Sequence, residues 1–190
     1  VWTRLHPYFG VSLEQDAAWY AEYKQGKLNF RQWLEVAAVE WRKVGRTKEG
    51  VESMIAKISY MDGAEHVVHE LQKRYRTALI SSGADNFVTR IAHDLSISDE
   101  YHFLTFEYDN EARFTHFGFT GDGTEVEAKV AALAELSEKY GIAPDEMVYV
   151  GDSINDIGAF EYTRHGVLIG PGTDALRNVA WKQISNLSEL

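Results

Sequence analysis

Val148-Tyr149-Val150-Gly151-Asp152-Ser153-Ile154-Asn155-Asp156 is an apolar run that ends in Gly-Asp-x-x-Asn-Asp. A short β-branched and aromatic run closed by glycine reads as a buried strand of an α/β sheet. Open α/β sheets keep their ligands at the carboxyl ends of their strands, which is where Asp152 and Asp156 fall. Two carboxylates four residues apart supply the hard oxygen ligands that Mg²⁺ needs when it shares its shell with a phosphate.

The rest of the chain is consistent with such a sheet. Its 190 residues suit one core domain with a small appended subdomain. A hydrophobic content of 45% and a charged content of 25% are ordinary for a globular protein. No apolar run approaches a membrane span, and the first residues do not resemble a signal peptide. A formal net charge of −10 argues against nucleic acid and anionic membrane as partners. It leaves room for a small phosphorylated metabolite, because a bound cation inverts the local field. With no cysteine there is neither disulfide nor thiolate chemistry, and the default reading is cytoplasmic.

The chain changes character near residue 60. Four of its five tryptophans (Trp2, Trp19, Trp33 and Trp41) precede that point, in helical patterns. Ser12 with Gln15 reads as a capping-box start for a helix that Gly26 ends. Asn29 caps a second helix, in which Trp33, Leu34, Ala37, Ala38 and Trp41 recur at helical spacing. Val51, Met54, Ile55 and Ile58 mark a third. No strand is expected before residue 75. Helices and strands then alternate: a helix over 64–75, a strand over 77–81, a turn at Ser82-Gly83 and a helix over 86–95. A hairpin of 101–107 with 113–119 follows. Beyond it come a helix over 126–140, a strand over 147–150, a helix over 156–162, a strand over 167–169, a helix over 174–180 and a last strand at 183–184. Strands alternating with helices argue a parallel sheet. The expected division is a helical cap over 1–60 and an α/β core over 61–190.

Three elements recur in one order: Leu79-Ile80-Ser81-Ser82-Gly83 after an apolar run, Ala128-Lys129 on a helix, and the acidic loop Gly151 to Asp156. Together they resemble the second, third and fourth motifs of the haloacid dehalogenase superfamily, in its phosphoserine-phosphatase-like branch. Gly26-Lys27-Leu28-Asn29-Phe30 also resembles that family's connection between cap helices. The resemblance covers nearly the whole chain. It implies a Rossmann-like parallel sheet with helices on both faces, a small helical cap, and Mg²⁺-dependent hydrolysis of a phosphomonoester through an aspartyl-phosphate. In it Ser81 and the N–H groups of Ser82 and Gly83 donate to the transferring phosphoryl oxygens, as does Asn155. Lys129 offsets the repulsion between anionic nucleophile and anionic phosphate. Asp152 holds Mg²⁺, and Asp156 holds a metal-bound water or orients Lys129. Taken singly each residue has a plainer role: Ser81 as a strand end, Lys129 as a solvated helix lysine, Asp152 as a helix cap and Asp156 as a first-turn carboxylate. Their order carries the functional reading.

The superfamily's first motif, Asp-x-Asp at the end of a strand, occurs nowhere in this sequence. Phe119-Thr120-Gly121-Asp122-Gly123-Thr124 imitates its tail, but Thr120 stands where the nucleophile would, and the segment reads as a turn after a hairpin strand. In the resembling family the nucleophile strand lies between the strands ending at Ser81 and Val150. Without it two strand edges are unpaired, at about 1–3 kcal/mol for each buried backbone group. The chain is therefore read as a fragment lacking its nucleophile. The alternative from another class is a non-catalytic relative that binds a phosphorylated ligand or a protein partner. A phosphotransferase would share every residue seen.

The family's cap arginine would fall on Ala37, with Arg42 more than a helical turn away, which argues against phosphoserine as the substrate. The tryptophans read as the packing core of the cap. His66 and His69 have a spacing that zinc sites use but no third ligand near in sequence, and His102 and His116 are expected to face each other across the hairpin. The purified 190-residue chain is expected to release no phosphate from any phosphomonoester. Metal-dependent turnover by that chain would overturn the assignment of the nucleophile to Asp-x-Asp.

Overall fold

The computed structural model describes residues 2–190. They form two compact units, one of residues 2–59, 83–91 and 102–120, the other of residues 60–82, 92–101 and 121–190.

The first unit is built on four helices: α1 (Trp2–Tyr8), α2 (Leu13–Lys24), α3 (Phe30–Val44) and α4 (Lys48–Ile55). Their starts follow the sequence signals. The Ser12 hydroxyl accepts the Gln15 N–H at 3.1 Å. Asn29 and Gln32 close a reciprocal capping box at 2.9 Å in each direction. The apolar stripe of α3 is buried from Phe30 through Trp33, Leu34, Ala37 and Ala38 to Trp41, as its spacing predicts. That stripe packs on an antiparallel hairpin of β2 (Asp99–Tyr108) and β3 (Phe114–Phe119). The Trp41 ring stacks on Phe9 with centroids 3.9 Å apart and is met edge-on by Phe106 and Phe117. The tryptophans are thus packing residues, as expected.

The hairpin forms where the alternation placed it, with a different register. His116 lies opposite Glu107, and Leu104 opposite Phe119, so His102 and His116 do not face each other. The turn sets this: the Asp109 carboxylate accepts the N–H groups of Glu111 and Arg113 at 2.9 and 2.8 Å, which fixes where pairing begins.

The second unit carries α5 (Ala64–Gln72), α7 (Glu125–Tyr140), α8 (Ile157–Thr163) and α9 (Asp174–Val179), with the strands β4 (Tyr149–Gly151), β5 (Gly166–Ile169) and β6 (Lys182–Ile184). β1 (Ala78–Ala84) and α6 (Asp85–Asp94) run through the boundary between the units. β4, β5 and β6 are parallel, with Tyr149 opposite Gly166 and Val167 opposite Lys182. Their core is Leu133, Leu136, Met147, Tyr149, Phe160, Leu168 and Leu176, with Ile80 against it. α7 opens on a Thr124–Glu127 capping box and closes at Gly141, whose φ of 63° is the left-handed conformation that suits glycine.

One expectation about strands needs correcting. The Ser82-Gly83 turn is extended chain, because β1 continues through Ala84 as part of a ladder. The strands form two three-stranded sheets, ordered β1-β2-β3 and β4-β5-β6, and β1 and β4 are not hydrogen-bonded to each other, as expected for strands that lack the one that would join them. The mixed α/β class holds. The chain from Thr120 to Thr124 is a loop after β3 that ends on the Thr124 cap, as read.

In the first unit, His6 is fully buried among Trp2, Trp19, Trp33 and Trp41. Its Nδ1 accepts the Trp41 indole N–H at 3.2 Å, which leaves the proton on Nε2, 3.4 Å from the Asp16 carboxylate. Burial holds its pKa below the ordinary 6.5, outweighing the opposing pull of Asp16. The unfolded chain therefore binds more protons than the folded one below that value. The stability this group contributes is complete above pH 6.5 and is lost as pH falls from there toward the folded pKa. Urea unfolding followed by circular dichroism should show the loss, and His6→Gln, which keeps an acceptor, should flatten it.

Candidate active site

The acidic loop leaves β4 at Gly151 and passes through a 3₁₀ turn at Ile154–Asp156 into α8. Asp156 is buried, and its carboxylate gathers four donors. Oδ1 accepts from Lys129 Nζ at 2.5 Å and from the Tyr149 hydroxyl at 3.0 Å. Oδ2 accepts the backbone N–H groups of Asp152 and Ser153 at 3.1 and 3.0 Å. The loop is thus wound around one carboxylate. Burial pushes the Tyr149 phenol well above its ordinary range, and the neighbouring Asp156 charge adds to this, so Tyr149 stays a donor.

Lys129 reaches this carboxylate from the buried face of α7. The side chains of the pair are 9% and 4% exposed, so the ion pair is shielded from solvent. Lys129 Nζ also donates to Asn155 Oδ1 at 3.2 Å, and Asn155 Nδ2 donates to the Ser82 hydroxyl at 3.2 Å. One connected network therefore joins β1, α7, β4 and the loop before α8. It brings together Ser82, Lys129, Asn155 and Asp156. Ser81 and Gly83 flank Ser82 in β1 and lie, by the pleat, on the other face of the strand. Asp152 is exposed, with only its N–H committed to Asp156.

Two residues of the site were not singled out from sequence. Tyr149 read as one more apolar strand residue, and its hydroxyl is what distinguishes it. Gly151 read as a strand boundary. A Cβ at Gly151 would lie 2.5 Å from the Asp156 carboxyl group, so the glycine is what lets that carboxylate approach the strand. Among the described residues no group of three or more His, Asp or Glu is placed to hold a metal ion. His66 and His69 therefore form no such set.

Parallel strands followed by a loop carboxylate that is paired with a helix lysine belong to the α/β class, in which ligands commonly bind at the carboxyl ends of the strands. The chain belongs to the haloacid dehalogenase-like hydrolase family, whose model matches residues 1–162. It is 28% identical over 166 residues to a phosphoserine phosphatase of Archaeoglobus fulgidus, covering 85% of this chain and 45% of that one. To a phosphoserine phosphatase of Methanocaldococcus jannaschii it is 32% identical over 145 residues, covering 74% and 64%. The chain thus spans about half to two thirds of these relatives. Among solved structures, a substrate-bound phosphoserine phosphatase complex superposes with a TM-score of 0.78 at 25% identity, over 96% of this chain and 84% of that one. A phospho-aspartyl intermediate analogue of phosphoserine phosphatase gives 0.75 at 26%, over 94% and 82%.

Gly151→Ala is expected to drive the Asp156 carboxylate off Lys129 and to cost about 3–5 kcal/mol, the scale of breaking a buried ion pair. Urea denaturation measures this. Wild-type stability in the variant would mean that the loop moves aside without cost.

Proposed function

We propose that the chain carries most of the machinery of an Mg²⁺-dependent phosphomonoesterase that acts on a small phosphorylated metabolite through an aspartyl-phosphate. The observation that supports this most is the buried Lys129 cation. An ammonium group has three donors, and Asp156 and Asn155 take two of those on Lys129. The third is left for a phosphoryl oxygen, and a charge fixed in advance costs no reorganisation when the phosphoryl group transfers. Asn155 and Ser82 would orient that group beside it.

The donor set fits a shared, partly hydrated Mg²⁺ and not an all-protein cage. Magnesium is commonly held by one or two carboxylates with phosphate oxygens and water completing its shell. Asp152, with its exposed carboxylate, would be the protein ligand. Asp156 has both oxygens engaged by protein donors, so in this reading it orients Lys129. When bound, the ion would neutralise charge on the phosphoryl oxygens.

The nucleophile in this reading is the first aspartate of an Asp-x-Asp outside the given sequence, on a strand between β1 and β4. The exposure of apolar side chains in and just before β4 supports it: Val148 is 57% and Val150 36% exposed in a run that reads as buried. The relatives are named for phosphoserine. Ala37, where a cap arginine would stand, is fully buried in α3, so the reading extends to small phosphomonoesters as a class.

The test is phosphate release from a panel of small phosphomonoesters by the natively expressed protein, with and without Mg²⁺. Activity should need the metal and fall about 100-fold or more in Lys129→Ala, the scale of losing one preorganised donor. Undiminished turnover in that variant would sink the proposal.

A further inference from the structure

The second unit has an open surface depression of about 530 Å³ that the candidate active site does not use. It lies at the amino end of β1, lined by Lys73, Arg74, Arg76, Thr77, Ser96 and Ser98. Ser81 and Ser82 lie beyond, at least four residues of extended chain from Thr77, about 13 Å. Gln72 and Tyr75 complete the lining, which holds three cations, three aliphatic hydroxyls and no carboxylate. In a chain with a net charge of −10 this is a local inversion of sign.

The depression is braced. The Gln72 side-chain amide donates to the Thr77 hydroxyl at 3.2 Å and to the Leu95 and Ser96 carbonyls at 2.9 and 3.3 Å, tying two walls together. Ser96 is held at a φ of 53°, a left-handed conformation that few non-glycine residues adopt. The Arg76 guanidinium sits over the Tyr140 ring, 4.0 Å from its centroid. Arg74 forms no ion pair among the described residues, whereas Lys73 pairs with Glu70 at 2.5 Å. Behind Ser98, the buried Asp99 carboxylate is bound by Lys139 at 2.5 Å and by the Tyr140 hydroxyl at 2.9 and 2.7 Å, and it also accepts the Ser98 hydroxyl at 3.5 Å and lies in the field of Arg76. Basic residues past the end of α5 also complement that helix's carbonyls. That role alone does not explain the hydroxyl-lined wall across from them.

We propose that this depression is a second ligand site, which takes a small oxyanion of two or more charges, a phosphate ester or a polycarboxylate. Arg74 and Arg76 supply the planar donors that suit such groups, and Ser96, Ser98 and Thr77 supply the neutral ones. A nucleic acid would be repelled by the surrounding negative charge over a Debye length of about 10 Å at 0.1 M salt, whereas a compact anion sits inside the basic patch.

The test is calorimetric titration of the metal-free protein with pyrophosphate and, separately, with citrate, to tell phosphate from carboxylate ligands. Binding to one of them should persist in Lys129→Ala, used at a temperature at which circular dichroism shows that variant folded, and weaken about tenfold or more in Arg74→Glu, an exposed position whose substitution does not threaten the fold. In wild-type protein the backbone amide resonances of Ser96 and Ser98 should move on addition of that anion. Absence of binding by either anion, unchanged affinity in Arg74→Glu, loss of all binding in Lys129→Ala, or unmoved Ser96 and Ser98 resonances would each overturn the proposal.

Discussion

A single buried carboxylate organises the functional half of this molecule. Asp156 could not be buried as an anion without compensation, since the desolvation penalty is several kcal/mol. Four donors from three directions provide it: an ammonium group from α7, a phenol from β4 and two backbone amides from its own loop. The loop's shape, the inward course of Lys129 and the lack of a side chain at Gly151 all follow from this. Its geometry is a consequence of charge burial as much as of chain connectivity. The same pair fixes the lysine, because a cation held by a buried partner has little freedom to move.

The helical elements were legible because their signals are local. Asn29 with Gln32 and Thr124 with Glu127 mark helix starts within four residues, and the α3 stripe from Phe30 to Trp41 has one period and one burial pattern. The hairpin was legible in its alternation but not in its register. One carboxylate in the turn fixes the pairing, and alternation alone leaves a range of offsets open. The expected turn at Ser82-Gly83 shows the converse. A Ser-Gly pair reads as a turn in isolation, yet pairing into a ladder keeps it extended.

For the site, the order of Ser81-Ser82-Gly83, Lys129 and the Gly151–Asp156 loop pointed to segments of which Ser82, Lys129, Asn155 and Asp156 meet in space. The roles within it needed three dimensions. Ser82, Lys129, Asn155 and Asp156 are joined by hydrogen bonds that span up to 73 residues of sequence, which no spacing rule anticipates. Tyr149 was hidden because an aromatic in an apolar strand reads as packing, and only its hydroxyl's partner shows more. Asp152 and Asp156 differ in exposure, one open to solvent and one enclosed, and two identical side chains carry no sequence mark of that difference.

The placement of the indoles gives the molecule a built-in optical asymmetry. Trp2, Trp19, Trp33 and Trp41 belong to the first unit, and Trp181, which is 60% exposed, is the sole indole of the second. Enclosed indoles emit at shorter wavelength than solvated ones, so loosening of the helical unit shifts the spectrum red. Loosening of the α/β unit passes almost unseen, because its single reporter is already wet. Intrinsic emission from this chain therefore follows the helical unit nearly alone.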